Sequence, residues 1–77
     1  MNAASAVRAV VVDDHVVTRI GIKALLESSG GFEVVGTFER GEAFLDGFAG
    51  CLPVDVVLLD LNLPDMSGLD LLDRMAA

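Results

Sequence analysis

A chain of 77 residues is one domain at most, and at that length only about 60% of the surface of the unfolded chain is buried, so stability is marginal. Twelve acids against five bases give a net charge of −7, a field that repels phosphate backbones and anionic headgroups and argues against direct nucleic-acid or membrane-surface binding. Cys51 is the single cysteine, which excludes an internal disulfide and a Cys-based zinc site, and no Trp or Tyr is present, so the core must come from aliphatic residues and four Phe.

The small and polar residues Met1–Ala6 read as a disordered tail, lacking the basic start and apolar core of a secretory signal. No apolar run approaches the ~20 residues of a membrane helix. A cytoplasmic location without membrane contact is therefore expected. Val7–Val12 is β-branched or small with little polar alternation, the pattern of a parallel strand covered on both faces. Val16–Ser28 places Thr18, Gly21, Ile22, Leu25 and Leu26 on one helical face. Asp14 is expected to cap its start, and Ser29, Gly30 and Gly31 to end it.

Phe32–Thr37 has strand character but is less apolar, which suits an edge. Glu39–Phe48 reads as a weaker helix with Ala43, Phe44 and Phe48 inward, its propensity lowered by Gly41 and Gly47. A loop at Gly50–Pro53 leads into a third strand, Val54–Leu59, with Asp55 near its start. After a Pro64–Gly68 loop, Leu69, Leu72, Met75 and Ala76 mark a third helix. Strands and helices alternating at this spacing give right-handed βαβ units and a parallel sheet, an α/β fold.

The chemistry lies at the strand ends. Asp13 and Asp14 close the first strand and Asp60 the third. Each acid alone is explained by helix capping or loop polarity. Together they matter more, because the carboxyl ends of neighbouring parallel strands line one crevice. Clustered carboxylates repel and call for a hard cation, of which Mg²⁺, with its preference for oxygen ligands, is the natural choice. His15 reads as a loop residue beside this pocket, Met66 as packing, and Cys51 as a small buried hydrophobe. Arg8, Arg19, Lys23, Arg40 and Arg74 are scattered and read as solvated surface.

The Asp13-Asp14 pair, Asp60, and the stretch Leu63-Pro64-Asp65-Met66-Ser67-Gly68 together resemble the two-component response-regulator receiver family, over Val7 to Met75. The resemblance implies a flavodoxin-like, receiver-type sheet, here truncated to three strands and three helices, with residues 7–77 a partial receiver lacking strands four and five and the output domain. It also implies that Asp60 is the phosphoacceptor, Asp14 a direct Mg²⁺ ligand, Asp13 a ligand through water, and the Asn62 backbone carbonyl a further ligand. Asp60 would belong to the metal site as well. The run Asp13-Asp14-His15 followed by Val17, Arg19, Gly21, Ala24, Leu25 and Leu26 resembles receivers of the LuxR/NarL type, with Val16 where Pro is usual.

By the same resemblance the partner is a sensor histidine kinase, the role is phosphorelay signalling rather than enzymatic turnover, and DNA is reached only through an output domain absent from this chain. The Ser or Thr of strand four and the Lys of strand five have no counterpart here. Loss of those strands would leave strand three as an exposed apolar edge, and such an edge favours self-association into a homo-oligomer. The alternative function is therefore a non-catalytic fragment that pairs with itself or with an intact receiver. A metal-dependent phosphatase would need a second Asp where Asn62 stands.

Overall fold

The structure, a computed structural model, describes residues 6–76. Of the expected tail at 1–6, residues 1–5 lie outside the described residues. Three parallel strands form one sheet in the order β2-β1-β3, with β1 Val7–Val12, β2 Phe32–Phe38 and β3 Val56–Leu59. The helices are α1 Val16–Ser28, α2 Gly41–Gly47 and α3 Gly68–Ala76, and a 3-10 turn, Phe48–Cys51, follows α2.

The uniformly apolar strand is the central one. Ala9, Val10, Val11 and Val12 are all fully buried, because β1 is paired on both edges and covered on both faces. The more polar β2 is an edge, as its composition suggested. On one face Val10 and Val12 pack with Phe44, Cys51, Leu63 and Leu71, joined by Phe38, Phe48, Val57 and Leu59. Cys51 thus takes the expected role of a small core residue. Phe44 sits edge-to-face on Phe38, with ring centres 5.7 Å apart, and tilted on Phe48 at 5.0 Å.

Several boundaries and contacts differ from expectation, each for a physical reason. Asp14 does not cap α1. The residue preceding the helix is His15, in extended conformation, and no side chain caps the helix. Asp13 Oδ1 instead accepts the His15 N–H at 2.8 Å, a turn that takes up the carboxylate before the helix starts. α2 begins at Gly41 rather than Glu39, since Arg40 is extended. The supposed loop at Gly50–Pro53 opens with the turn that buries Cys51. β3 begins at Val56 rather than Val54, because the Asp55 carboxylate takes the Arg8 N–H (2.8 Å), in place of a backbone carbonyl.

The helix faces are also less covered than their periodicity implied. On α1 only Ile22 and Leu26 of the expected stripe are half-buried, while Leu25 is 71% exposed. In α3 Leu71 is fully buried, whereas Leu69, Leu72 and Met75 face outward. Both helices therefore carry apolar side chains that remain largely exposed among the described residues.

Arg8, expected on the solvated surface, is instead structural. Arg8 Nε donates to the Pro53 carbonyl at 2.6 Å and Nη2 to the Cys51 carbonyl at 3.2 Å, and Nη1 pairs with Glu33 across β1 and β2 at 3.3 Å. Arg74 pairs with Glu42 at 2.7 Å between α3 and α2, but both side chains are more than half exposed, so Arg74 stays on the solvated surface as expected. No helix among the described residues is long and apolar enough to cross a membrane.

The missing cap of α2 is supplied from far along the chain. Asp65 accepts the Gly41 and Glu42 N–H groups at 2.8 and 2.9 Å. These N–H groups, Glu42 first, hold its carboxyl below the ordinary carboxylate value. A depressed carboxyl contributes stability that is present above its unfolded value, near 3.8, and is lost as pH falls through the lower folded value. Acid unfolding followed by circular dichroism is therefore expected to lose part of its pH dependence below about pH 4 in Asp65→Asn. An unchanged acid limb would contradict this role.

Candidate functional site

The end of the sheet is built by continuing its hydrogen bonds one residue past the strands. The Asp13 N–H donates to the Phe38 carbonyl at 3.0 Å, and the Asp60 N–H donates to the Val12 carbonyl at 2.9 Å. Val12 and Leu59 are paired in register. Asp13 and Asp60 therefore leave neighbouring strands at the same level, and register alone brings them together across 47 residues of sequence.

Asp13, Asp14, His15 and Asp60 each offer a ligand atom, and these atoms all lie within 4.8 Å of one another. The Asp13 and Asp60 side chains are mostly covered, at 15% and 18% exposure, while His15 is 68% exposed. His15 Nδ1 lies 2.8 Å from Asp13 Oδ1, 3.1 Å from Asp14 Oδ1 and 3.9 Å from Asp60 Oδ2. An imidazole amid three carboxylates is a place for positive charge. The hydrogen bond to Asp13, followed by the charges of Asp14 and Asp13, raises the His15 pKa above its ordinary value. For Asp13, burial pushes the carboxyl up, but the His15 N–H, the His15 ring and the Arg19 charge outweigh it and hold the carboxyl below its ordinary value.

Arg19 was expected to be solvated. Its Nη1 instead donates to the Asp13 carbonyl at 2.7 Å, pinning the strand end to the second turn of α1. Asn62 follows Asp60 closely, and its N–H donates to Asp60 Oδ1 at 3.0 Å. The loop beyond it is closed by an antiparallel bridge between Asn62 and Ser67 and by the Gly68 N–H on the Leu61 carbonyl at 2.8 Å. Gly68 is required there: a Cβ would fall 2.9 Å from the Asp60 carbonyl oxygen and from Leu61 Cα. Met66 is half-buried against the core, the packing role expected of it.

An open cavity of about 410 Å³ adjoins the acids, lined by Asp13, His15 and Asp60 together with apolar Val11, Ile22 and Leu58. Of the residues singled out from the sequence, the structure groups the three acids and sets Asn62 against Asp60. His15, Arg19 and Asp65 were undervalued. His15 and Arg19 could have been suspected from their nearness to Asp13, whereas Asp65 acts across 23 and 24 residues and leaves no local signal.

Comparison with known proteins agrees with this architecture. The family model described as response regulator receiver domain matches residues 9–77. The nitrate/nitrite response regulator protein NarP of Escherichia coli K12 is 43% identical over 75 residues, covering 97% of this chain and 34% of NarP. NarL of the same organism is 40% identical over 65 residues, covering 84% of this chain and 30% of NarL. The chain thus spans about a third of the length of these relatives. Among solved structures, a CheY-like receiver domain from Methylobacillus flagellatus superposes with a TM-score of 0.82 at 34% identity, covering 95% of this chain and 59% of that one. Three parallel strands with alternating helices, acids at the ends of β1 and β3, and relatives of the NarL type agree, and the chain belongs to the response-regulator receiver domain family.

Proposed function

We propose that this chain serves phosphorelay signalling as a phosphoacceptor module, with Asp60 receiving a phosphoryl group from a sensor histidine kinase. The observation that carries the reading is the convergence of Asp13, Asp14 and Asp60 within 4.8 Å at one end of the sheet. Three carboxylates that close are an all-oxygen donor set, which fits Mg²⁺. Asp13, Asp14 and Asp60, with the Asn62 backbone carbonyl, would hold it. When bound, the ion neutralises the acids and the oxygens of the incoming phosphoryl group.

The remaining chemistry belongs to the chain. An Asp60 carboxylate oxygen attacks phosphorus while the bond from phosphorus to the donor's imidazole nitrogen breaks, and that nitrogen leaves with the electron pair. The Asn62 N–H on Asp60 Oδ1 orients the carboxylate for attack by the other oxygen. Residues 7–77 would be the first part of a receiver, with later strands and a DNA-binding output domain outside these 77 residues. Incubation with Mg²⁺ and acetyl phosphate, followed by intact-mass measurement, should show the gain of one phosphoryl group that vanishes with a chelator. No gain with Mg²⁺ present would overturn the reading.

One observation favours a second role. β3 is paired on one side only among the described residues, and Leu58 on it is 39% exposed. An unpaired apolar strand is a template for another strand. As a non-catalytic fragment the chain would then act by self-association or by pairing with an intact receiver. Sedimentation is expected to show a homodimer whose population grows with concentration, and a monomer at every concentration would refute it.

A further inference from the structure

The loop that follows β3, residues 61–68, is fastened to α2. The Asp65 carboxylate accepts the Gly41 N–H at Oδ1 and the Glu42 N–H at Oδ2, at 2.8 and 2.9 Å. Beside it the Met66 thioether lies over Gly41, where a Cβ would fall 2.5 Å from Sδ. The first N–H groups of a helix have no partner within the helix. α2 has no cap of its own, since Arg40 makes no side-chain cap hydrogen bond. α2 is also a firm anchor, because Phe44 on it is fully buried and stacked against Phe38 and Phe48.

The other end of the same loop carries the site. Asn62 donates to Asp60 Oδ1, and Gly68 donates back to Leu61. Between the Asp60 and Asp65 anchors lie only residues 61–64, one of them Pro64 and one the buried Leu63. A segment this short, with one residue fixed in φ and one held in the core, has little slack. Few bonds are thus available to absorb a displacement at Asp65 before it reaches Asn62.

We propose that Asp65 is a positioning residue for the acidic site: by clamping the 61–68 loop to the start of α2, it holds the Asn62 backbone, and through it the Asp60 carboxylate, against Asp13 and Asp14. The inference rests on the reading of that cluster as a phosphoacceptor and metal site. A cap serving only α2 would stabilise the helix and leave the cluster unmoved. Asp65 does both because its partners and its own backbone belong to different elements.

The test compares the wild-type chain with Asp65→Ala, Asp65→Asn and Arg8→Ala by amide hydrogen exchange without metal, then by Mg²⁺ titration followed through amide resonances. Asp65→Ala should speed exchange at Asn62 and Gly68 relative to β1 and weaken Mg²⁺ binding, each by about tenfold, in line with the loss of an outer-shell partner. Asp65→Asn keeps one acceptor oxygen and recovers part of both, which also guards against misfolding of the alanine variant. Arg8→Ala loosens the opposite end of the sheet and should change neither. Faster exchange confined to α2, with Asn62, Gly68 and Mg²⁺ affinity unchanged, would overturn the proposal. If the wild type shows no response to Mg²⁺, the metal reading of the cluster falls instead, and the Asn62 and Gly68 amides alone decide whether Asp65 positions the loop.

Discussion

Asp60→Asn is expected to lose the entire phosphoryl gain from acetyl phosphate, falling to the level seen with a chelator. In the proposed transfer the carboxylate oxygen is the attacking atom, and an amide oxygen at neutral pH is a far weaker nucleophile. The substitution is nearly isosteric, and the Asn62 N–H can still donate to the remaining oxygen. Folding should therefore be preserved, so the loss reads chemistry and not collapse. Asp13→Asn and Asp14→Asn should act differently, by weakening Mg²⁺ binding. For Asp13, proposed to contact the ion through water, the weakening is about 10–100-fold, and for Asp14, proposed as a direct ligand, it is greater. Phosphoryl gain in those two variants should recover at high Mg²⁺. Phosphorylation of Asp60→Asn at the wild-type level would move the acceptor to another residue and end the assignment.

Phe44→Ala is expected to produce the largest loss of stability, about 3–5 kcal/mol. Phe44 is fully buried and stacks on both Phe38 and Phe48, so truncation removes apolar area, aromatic contacts and the anchor of α2 together. Small domains have a total stability near the lower end of about 5–15 kcal/mol. The variant should show no cooperative thermal transition above room temperature by circular dichroism. Leu69→Ala, at a side chain 66% exposed, provides the contrast and should stay within about 0.5 kcal/mol of wild type. A Phe44→Ala chain that melts within a few degrees of the wild type would show that the core lies elsewhere.

The alternation of strand and helix was legible in the residues because periodicity is local. β1 and α1 have the bounds that their patterns indicated, and β2 is the edge that its polarity suggested. The acids were legible for the same reason: an Asp directly after an apolar strand stands at the strand's carboxyl end wherever the strand sits. Boundaries failed where a distant group intervened. β3 starts late because Asp55 is bound to Arg8 across 47 residues, and Asp14 lost its cap role to the turn made by Asp13. The apolar stripes of α1 and α3 show what a helix could bury, and only the packed chain shows how little of each is covered.

By itself, then, the amino-acid order determined the strand and helix types, the parallel α/β class and the identity of the three acids, since all of these follow from patterns a few residues long. The tertiary structure alone decided that Asp13 and Asp60 meet, because their meeting depends on the pairing of Val12 with Leu59. It also decided that His15 joins the acids, that Arg8 and Arg19 are structural, and that Asp65 ties the Asp60 loop to α2. These are contacts made by register and by side chains reaching across elements, and no local pattern encodes them.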